Sequence, residues 1–223
     1  MLQHRLPSAI QHVREPRPIH FPEFELVAAG KRHLTLRTFL YQLLKHLLGP
    51  EHTVGSDQFV YWNAREPRRK LAPDVFLCRG IADSSFGSWK VWERRTPELA
   101  IEIVSPNEDE DEDWDDKLER YHELGVQELV RFDPDARAGE RLRVWDRIDE
   151  DLLERRVEND ACACVALGLV WVVCPVESEP VGLRLADADG RLVPNAIEAE
   201  RVAREAAEAR VRELEAELGA RRG

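Results

Sequence analysis

The element order helix, strand, strand, strand, helix, strand predicts an α/β domain built on a mixed β-sheet flanked by helices. Three observations lead to it. Leu36, Phe39, Leu40, Leu43, Leu44 and Leu47 recur at helical spacing, one apolar stripe over residues 32–48. Two apolar runs, APDVFLC and PELAIEIVSP, have the length and composition of strands. Between the second run and a further apolar run, QELVRF, lies DWDDKLERYHELG, a helical pattern closed by Gly125.

Residues 1–20 are rich in Pro, His and Arg and have no periodicity, which reads as a loose N-terminal arm. The first helix stops at Gly49-Pro50. Strands are expected near 57–62 (DQFVYW) and 72–78, with Pro67 in the loop between them. Residues 80–96, with Trp89 and Trp92, are irregular and read as a short helix or the rim of a site. A strand over 98–104 ends at Ser105-Pro106, a helix spans 113–124, and a strand over 127–132 ends at Asp133-Pro134. Further on, RLRVW and LLERRV can pair as a hairpin, and VGLRLAD and RLV flank the turn Ala188-Asp189-Gly190. These segments define a main domain over residues 21–190. Residues 195–223 form a charged helical tail in which Ala207, Val211, Leu214 and Leu218 follow a 4, 3, 4 spacing. That stripe covers under two heptads and has weak alanine knobs, so a solvated, partly frayed helix is expected rather than a stable coiled coil.

At 223 residues, 43% of them hydrophobic, the chain is large enough for one sizeable core plus an appendage. No apolar run approaches a membrane span and nothing near Met1 reads as a secretory signal, so a soluble cytoplasmic protein is expected. Four cysteines agree with that. Cys162 and Cys164 lie on one face of an expected strand in ACACVALGLVWVVCP and read as buried thiols; a zinc site is the sharper alternative, but no CxxC pair or His-x-His partner follows.

A net charge of -11 argues against a generic nucleic-acid-binding protein, but the charge is uneven. Residues 1–73 carry +5 and the remainder -16. Arg65, Arg68, Arg69 and Lys70 immediately precede Asp74, either as a solvated basic turn or as phosphate contacts beside a site. The acidic run Glu108 to Asp116 reads as a solvated loop; the alternatives are repulsion of DNA or loose attraction of divalent cations.

Three charged residues stand where charge is expensive. Asp74 opens an apolar run and shares a strand face with Phe76 and Cys78; Glu102 shares one with Ala100 and Val104. Lys117 lies one helical turn before Tyr121, with Leu124 next, on the side that should face the sheet. Each has an ordinary explanation: Asp74 as a turn cap after Pro73, Glu102 and Lys117 as a structural ion pair. Together, two carboxylates and an ammonium suit metal-assisted phosphodiester cleavage, in which a hard cation held by carboxylates activates water and the ammonium stabilises charge.

The stretch from APDVFL through PELAIEIVSP to WDDKLERYHELGVQELVRFDP resembles the Uma-type family of putative restriction endonucleases, within the PD-(D/E)xK nuclease superfamily, over roughly residues 23–185. The resemblance implies a restriction-endonuclease-like αβββαβ core and a DNA-cutting site dependent on Mg²⁺, with Mn²⁺ as an alternative. Asp74 and Glu102 match the family's acids. The lysine usual two residues after the glutamate is replaced by Val104, and Lys117 matches a migrated lysine on the following helix. By analogy the Ile103 carbonyl joins Asp74 and Glu102 as a metal ligand. FELVAAGKRH loosely resembles a family segment that carries a further acid, which makes Glu25 the candidate and Glu23 the reserve. His33 and Tyr121 are supporting candidates, with a solvent contact at the helix start and a core aromatic as their plainer readings. A homodimer would place two active sites on a duplex. The competing classes are a non-catalytic nucleic-acid-binding module of the same fold and a scaffold acting through the tail helix.

Overall fold

The computed structural model describes residues 19–22, 30–105 and 114–222. Residues 1–18 of the expected arm, Glu23 and Glu25, and the acidic run as far as Asp113 lie outside the described residues. In chain order the elements are α1 (Lys31–Leu48), β1 (Thr53–Gly55), β2 (Val60–Tyr61), β3 (Lys70–Leu71), β4 (Val75–Cys78), β5 (Trp89–Lys90) and β6 (Leu99–Ile103). There follow α2 (Trp114–Leu124), β7 (Glu128–Phe132), β8 (Leu142–Ile148), β9 (Asp151–Arg155), β10 (Ala161–Cys164), β11 (Leu169–Val176), β12 (Glu179–Ala186) and α3 (Ala196–Arg222).

The main sheet has six strands in the order β1-β4-β6-β7-β8-β9. The β6–β7 pair is parallel, joined by the α2 crossover; the other pairs are antiparallel. Within this sheet α1, β1, β4, β6, α2 and β7 reproduce the expected helix, three strands, helix, strand order. Both faces of its central strands are buried, as a parallel crossover requires. Leu99, Ile101 and Ile103 of β6 enter one core with the α1 stripe Leu36, Phe39, Leu40, Leu43 and Leu44 and with Trp171, Leu183 and Leu185. Ala100 enters the other with Tyr121 and Leu124 of α2, Leu129, Trp145, Phe76 and Trp89. The period-two alternation of β6 therefore assigns Ala100 and Glu102 to the α2 face.

Several elements differ from the sequence expectation. The residues expected as one strand over 57–62 contribute only Val60–Tyr61 to a small separate sheet, β3-β2-β5, which also draws on the segment expected to be irregular, 80–96. The main sheet instead begins with β1, whose three residues are too few to show alternation and end in a glycine, normally a strand breaker. The strand expected over 72–78 is shortened to β4, Val75–Cys78, and β3, Lys70–Leu71, precedes it separately, because Pro73 between them cannot donate to a ladder. The cysteine-containing stretch forms a hairpin rather than one strand, β10 and β11, within a third sheet that packs on α1; its cysteines are free thiols. The RLV segment pairs only through an isolated bridge, Ala186 to Leu192.

Two polar clusters fasten the additions. Glu128 of β7 is buried and accepts hydrogen bonds from the Ala166 N–H at 2.7 Å and the Trp171 Nε1–H at 3.4 Å, tying the main sheet to the β10–β11 hairpin. At the start of α3, Asn195 Oδ1 accepts from the Glu198 N–H at 2.8 Å, while Glu198 accepts from the Asn195 N–H at 2.9 Å, a capping box. Arg184 holds Glu198 at 2.6 Å and stacks over Phe39. Beyond this first turn the described side chains of α3 from Arg201 onward are exposed, as expected of a solvated tail. Among the described residues no helix is long and apolar enough to cross a membrane.

Gly55 shows why β1 was hard to recognise. A Cβ there would lie 2.2 Å from the fully buried Phe76 ring, so β1 can pack on β4 only with glycine at this point. Gly55→Ala is expected to lower unfolding free energy by about 1–3 kcal/mol through overpacking, read as a lower midpoint in urea with an unchanged slope.

Candidate functional site

The three expected site residues meet at one end of the main sheet. Asp74 lies one residue before β4, and continuing the Val75–Ile101 register by one step sets it opposite Glu102 on β6. Both carboxylates are about 5% exposed, which is why their partners matter. Asp74 Oδ2 accepts the Ile103 N–H at 2.7 Å, so the side chain takes a strand donor beyond the last paired residue of the ladder. Its Oδ1 lies 2.6 Å from His33 Nε2, a contact in which Nε2 carries the proton when Asp74 is ionised. Arg37, one turn further along α1, is 2.9 Å from Asp57 and 4.0 Å from Asp74 Oδ1. Asp74 is thus oriented mainly from the α1 side.

Glu102 is compensated from the α2 side. Its Oε2 lies 3.1 Å from Lys117 Nζ, and its Oε1 accepts a short hydrogen bond from the Tyr121 hydroxyl. Lys117 and Tyr121 occupy adjacent turns of one face of α2, which the i, i+4 spacing requires. Burial pushes the Glu102 carboxyl up to about 7; the nearby Asp74 charge adds to this, and Lys117 and Tyr121 oppose it. A carboxyl this costly to ionise, beside a second carboxylate, is a setting that a cation would relieve.

The donor set fits a hard divalent ion. Asp74 and Glu102 offer carboxylate oxygens from neighbouring strands, and the Asp74 hydrogen bond brings the Ile103 backbone to the same point. Among the described residues no group of three or more His, Cys, Asp or Glu is arranged to hold a metal. Two carboxylates with a backbone carbonyl and water suit Mg²⁺, which keeps several waters and seldom uses an all-protein cage.

The basic residues before Asp74 have local partners. Arg69 is paired with Glu123 of α2 and lies 3.5 Å from Glu66; Lys70 lies over the Phe59 ring, 3.7 Å from its centroid. Arg65 and Arg68 are exposed. Sequence reasoning took a solvent contact as the plainer reading of His33, whereas the structure buries it against Asp74. It missed Arg37 altogether. The signal was present: His33 is three residues before Leu36 and four before Arg37, so both lie beside the apolar stripe of α1.

A family model described as Uma2, putative restriction endonuclease, matches residues 23–177. No curated protein matches the chain. Among solved structures, the crystal structure of a putative nuclease belonging to DUF820 from Anabaena variabilis ATCC 29413 is similar, with 13% identity, a TM-score of 0.43, and coverage of 68% of this chain and 75% of that one.

The raised Glu102 pKa has a consequence for stability. A folded-state value above the unfolded one contributes stability that is fully present below about 4.5 and is lost as pH rises through about 7. In chelator, Glu102→Gln should therefore gain on the wild type as pH goes from 5 to 8, by up to about 3 kcal/mol at roughly 1.4 kcal/mol per pKa unit. Chemical denaturation at each pH reads this difference; a difference independent of pH would show that burial of Glu102 does not control it.

Proposed function

Because the chain belongs to the Uma2 family of putative restriction endonucleases, we propose that it is a divalent-metal-dependent endonuclease that hydrolyses phosphodiester bonds in DNA. One observation carries the reading. A buried carboxylate with a raised pKa, Glu102, lies 3.1 Å from Lys117 Nζ and in register with Asp74, in a chain of nuclease-family sequence.

Asp74, Glu102 and the Ile103 carbonyl would hold Mg²⁺ or Mn²⁺, with Glu25 as a further acid from outside the described residues. When bound, the ion supplies Lewis-acid polarisation of a phosphate oxygen and a lowered pKa for water. The residues of the chain do the rest. His33 and the Ile103 N–H fix the direction of the Asp74 carboxylate. Tyr121 holds one oxygen of Glu102 and leaves Lys117 at the other. Lys117 is 22% exposed at its side chain, so its ammonium can meet substrate from the solvent side while remaining paired to Glu102. There it orients the attacking water or stabilises charge developing on the phosphate. Arg65 and Arg68, exposed on the basic turn, would touch phosphate from solvent, with Arg69 and Lys70 beside them. This reading goes with a cytoplasmic location, and a homodimer would let two such sites cut a duplex.

Purified protein should nick supercoiled plasmid in Mg²⁺ or Mn²⁺ and not in chelator. Glu102→Ala and Lys117→Ala should each reduce the rate at least about 100-fold, the scale for losing one positioned charge-stabilising or acid–base group. Salt-sensitive DNA binding without cleavage under any metal would instead favour a non-catalytic binding module. The absence of both binding and cleavage would remove the nuclease reading.

A further inference from the structure

The sheet registers place a second cation beside Glu102. Glu102 of β6 is the direct partner of Arg131 on β7, and Arg131 is the direct partner of Arg143 on β8. Partners across a ladder share a face, so Arg131 projects on the α2 side, as Glu102 does. Its guanidinium lies over the Trp114 ring, 5.0 Å from the centroid. Trp114 opens α2 three residues before Lys117, on the same stripe as Lys117 and Tyr121. Arg131 therefore lies next to Glu102 in the sheet and beneath the helix that supplies Lys117.

Its bonding is unlike that of the surrounding arginines. Arg143 is paired with Glu154 at 2.8 Å, Arg147 donates to three backbone carbonyls, and Arg155 is paired with Asp146. Among the described residues Arg131 has no carboxylate partner; its Nε is buried with no hydrogen-bond acceptor, and the residue as a whole is half-buried. A buried guanidinium donor with no acceptor is costly. Its planar fork suits a phosphate, which it can bind through two donors at once. Contact with the Trp114 ring holds the guanidinium near this place beforehand, which lowers the cost of ordering it on binding.

We propose that Arg131 is a phosphate-binding residue that grips the nucleic-acid strand entering the Glu102–Lys117 site. The proposal rests on the nuclease reading and adds to it a residue outside the acid–acid–lysine set. Arg131 supplies a positive charge that a metal-binding carboxylate pair lacks, on the side of Glu102 away from Asp74. Its role is substrate binding, so its loss acts on affinity and KM more than on kcat.

The test measures binding of a labelled short DNA duplex in chelator between 50 and 200 mM salt, for wild type, Arg131→Met and Arg131→Lys. Methionine keeps the apolar stem over Trp114 and removes the charge; lysine keeps the charge and loses the fork. The expected result for Arg131→Met is affinity about tenfold weaker or more, with a log–log salt slope shallower by about 0.9, the value for one phosphate contact. Arg131→Lys should keep the wild-type slope with intermediate affinity. In Mg²⁺, KM should rise for Arg131→Met with kcat changed much less. As a measurement that does not depend on the methionine variant folding, the wild-type Arg131 side-chain N–H resonance, identified by its absence in Arg131→Lys, should move when duplex is added. Wild type that binds duplex while the slope is unchanged in Arg131→Met, or while that resonance stays fixed, overturns the proposal and leaves the nuclease reading standing. Wild type that neither binds nor cuts overturns both.

Discussion

Glu102 sits in a five-residue strand whose every residue is buried, and compensating that single carboxylate constrains much of the surrounding fold. Compensation has to come from the α2 face, because period-two alternation commits Leu99, Ile101 and Ile103 to the opposite core. The α2 crossover supplies it with a stripe of four side chains: Trp114 and Lys117 at the solvent end, Tyr121 and Leu124 at the core end. Sliding α2 by one residue would turn Lys117 and Tyr121 about 100° away from Glu102 and leave a buried charge unpaired, at a cost of several kcal/mol. Crossover helix, parallel β6–β7 pair and candidate site are therefore one construction.

Asp74 extends the same logic to the other helix. Its partners, His33 and the more distant Arg37, come from α1, which packs on the face opposite α2. The two carboxylates are adjacent in the ladder but are oriented by different helices. Displacement of one helix would then misplace one acid while leaving its neighbour held. The Ile103 N–H is the hinge between them, since it belongs to the strand of Glu102 and bonds the carboxylate of Asp74. A cation spanning the two acids would couple α1 to α2 through the sheet end, so metal binding and the fixed spacing of the layers should reinforce one another.

Helices and the positions of the candidate acids were legible in the sequence because each has a periodic context. Six leucine and phenylalanine positions define α1, and Glu102 and Lys117 stand out as charges at apolar-face positions. The β1–β4 pairing was not legible, because its signal is spread over Gly55 and Phe76, twenty-one residues apart, and depends on a ring filling the space of an absent Cβ. The same holds for β2, β3 and β5, each two residues long and defined only by their partners. Arg131 illustrates the limit at the site itself. In ELVRF it reads as an ordinary outward-facing residue of a strand, and only the β6–β7 register brings it beside Glu102. His33 and Arg37 fall between these cases, since helical spacing gives their face but not the buried acid they meet.

The overall acidity of the chain has to be reconciled with a polyanionic substrate. Eight of the forty-three acidic residues lie in the single run from Glu108 to Asp116, between the segments carrying Glu102 and Lys117. Any such concentration of negative charge attracts divalent cations and repels DNA only within roughly a Debye length, about 8 Å in physiological salt. Two of its members, Asp115 and Asp116, occupy the first turn of α2, where the helix dipole offsets part of their charge. On the nuclease reading, attraction of a phosphate strand falls to cations outside that run. Arg65 and Arg68 are exposed on the turn before Asp74, and Arg131 lies over the Trp114 ring. On the proposed reading, an acidic protein would act on a nucleic acid through few phosphate contacts. It should do so with a shallow salt dependence, unlike a protein that relies on a broad basic surface.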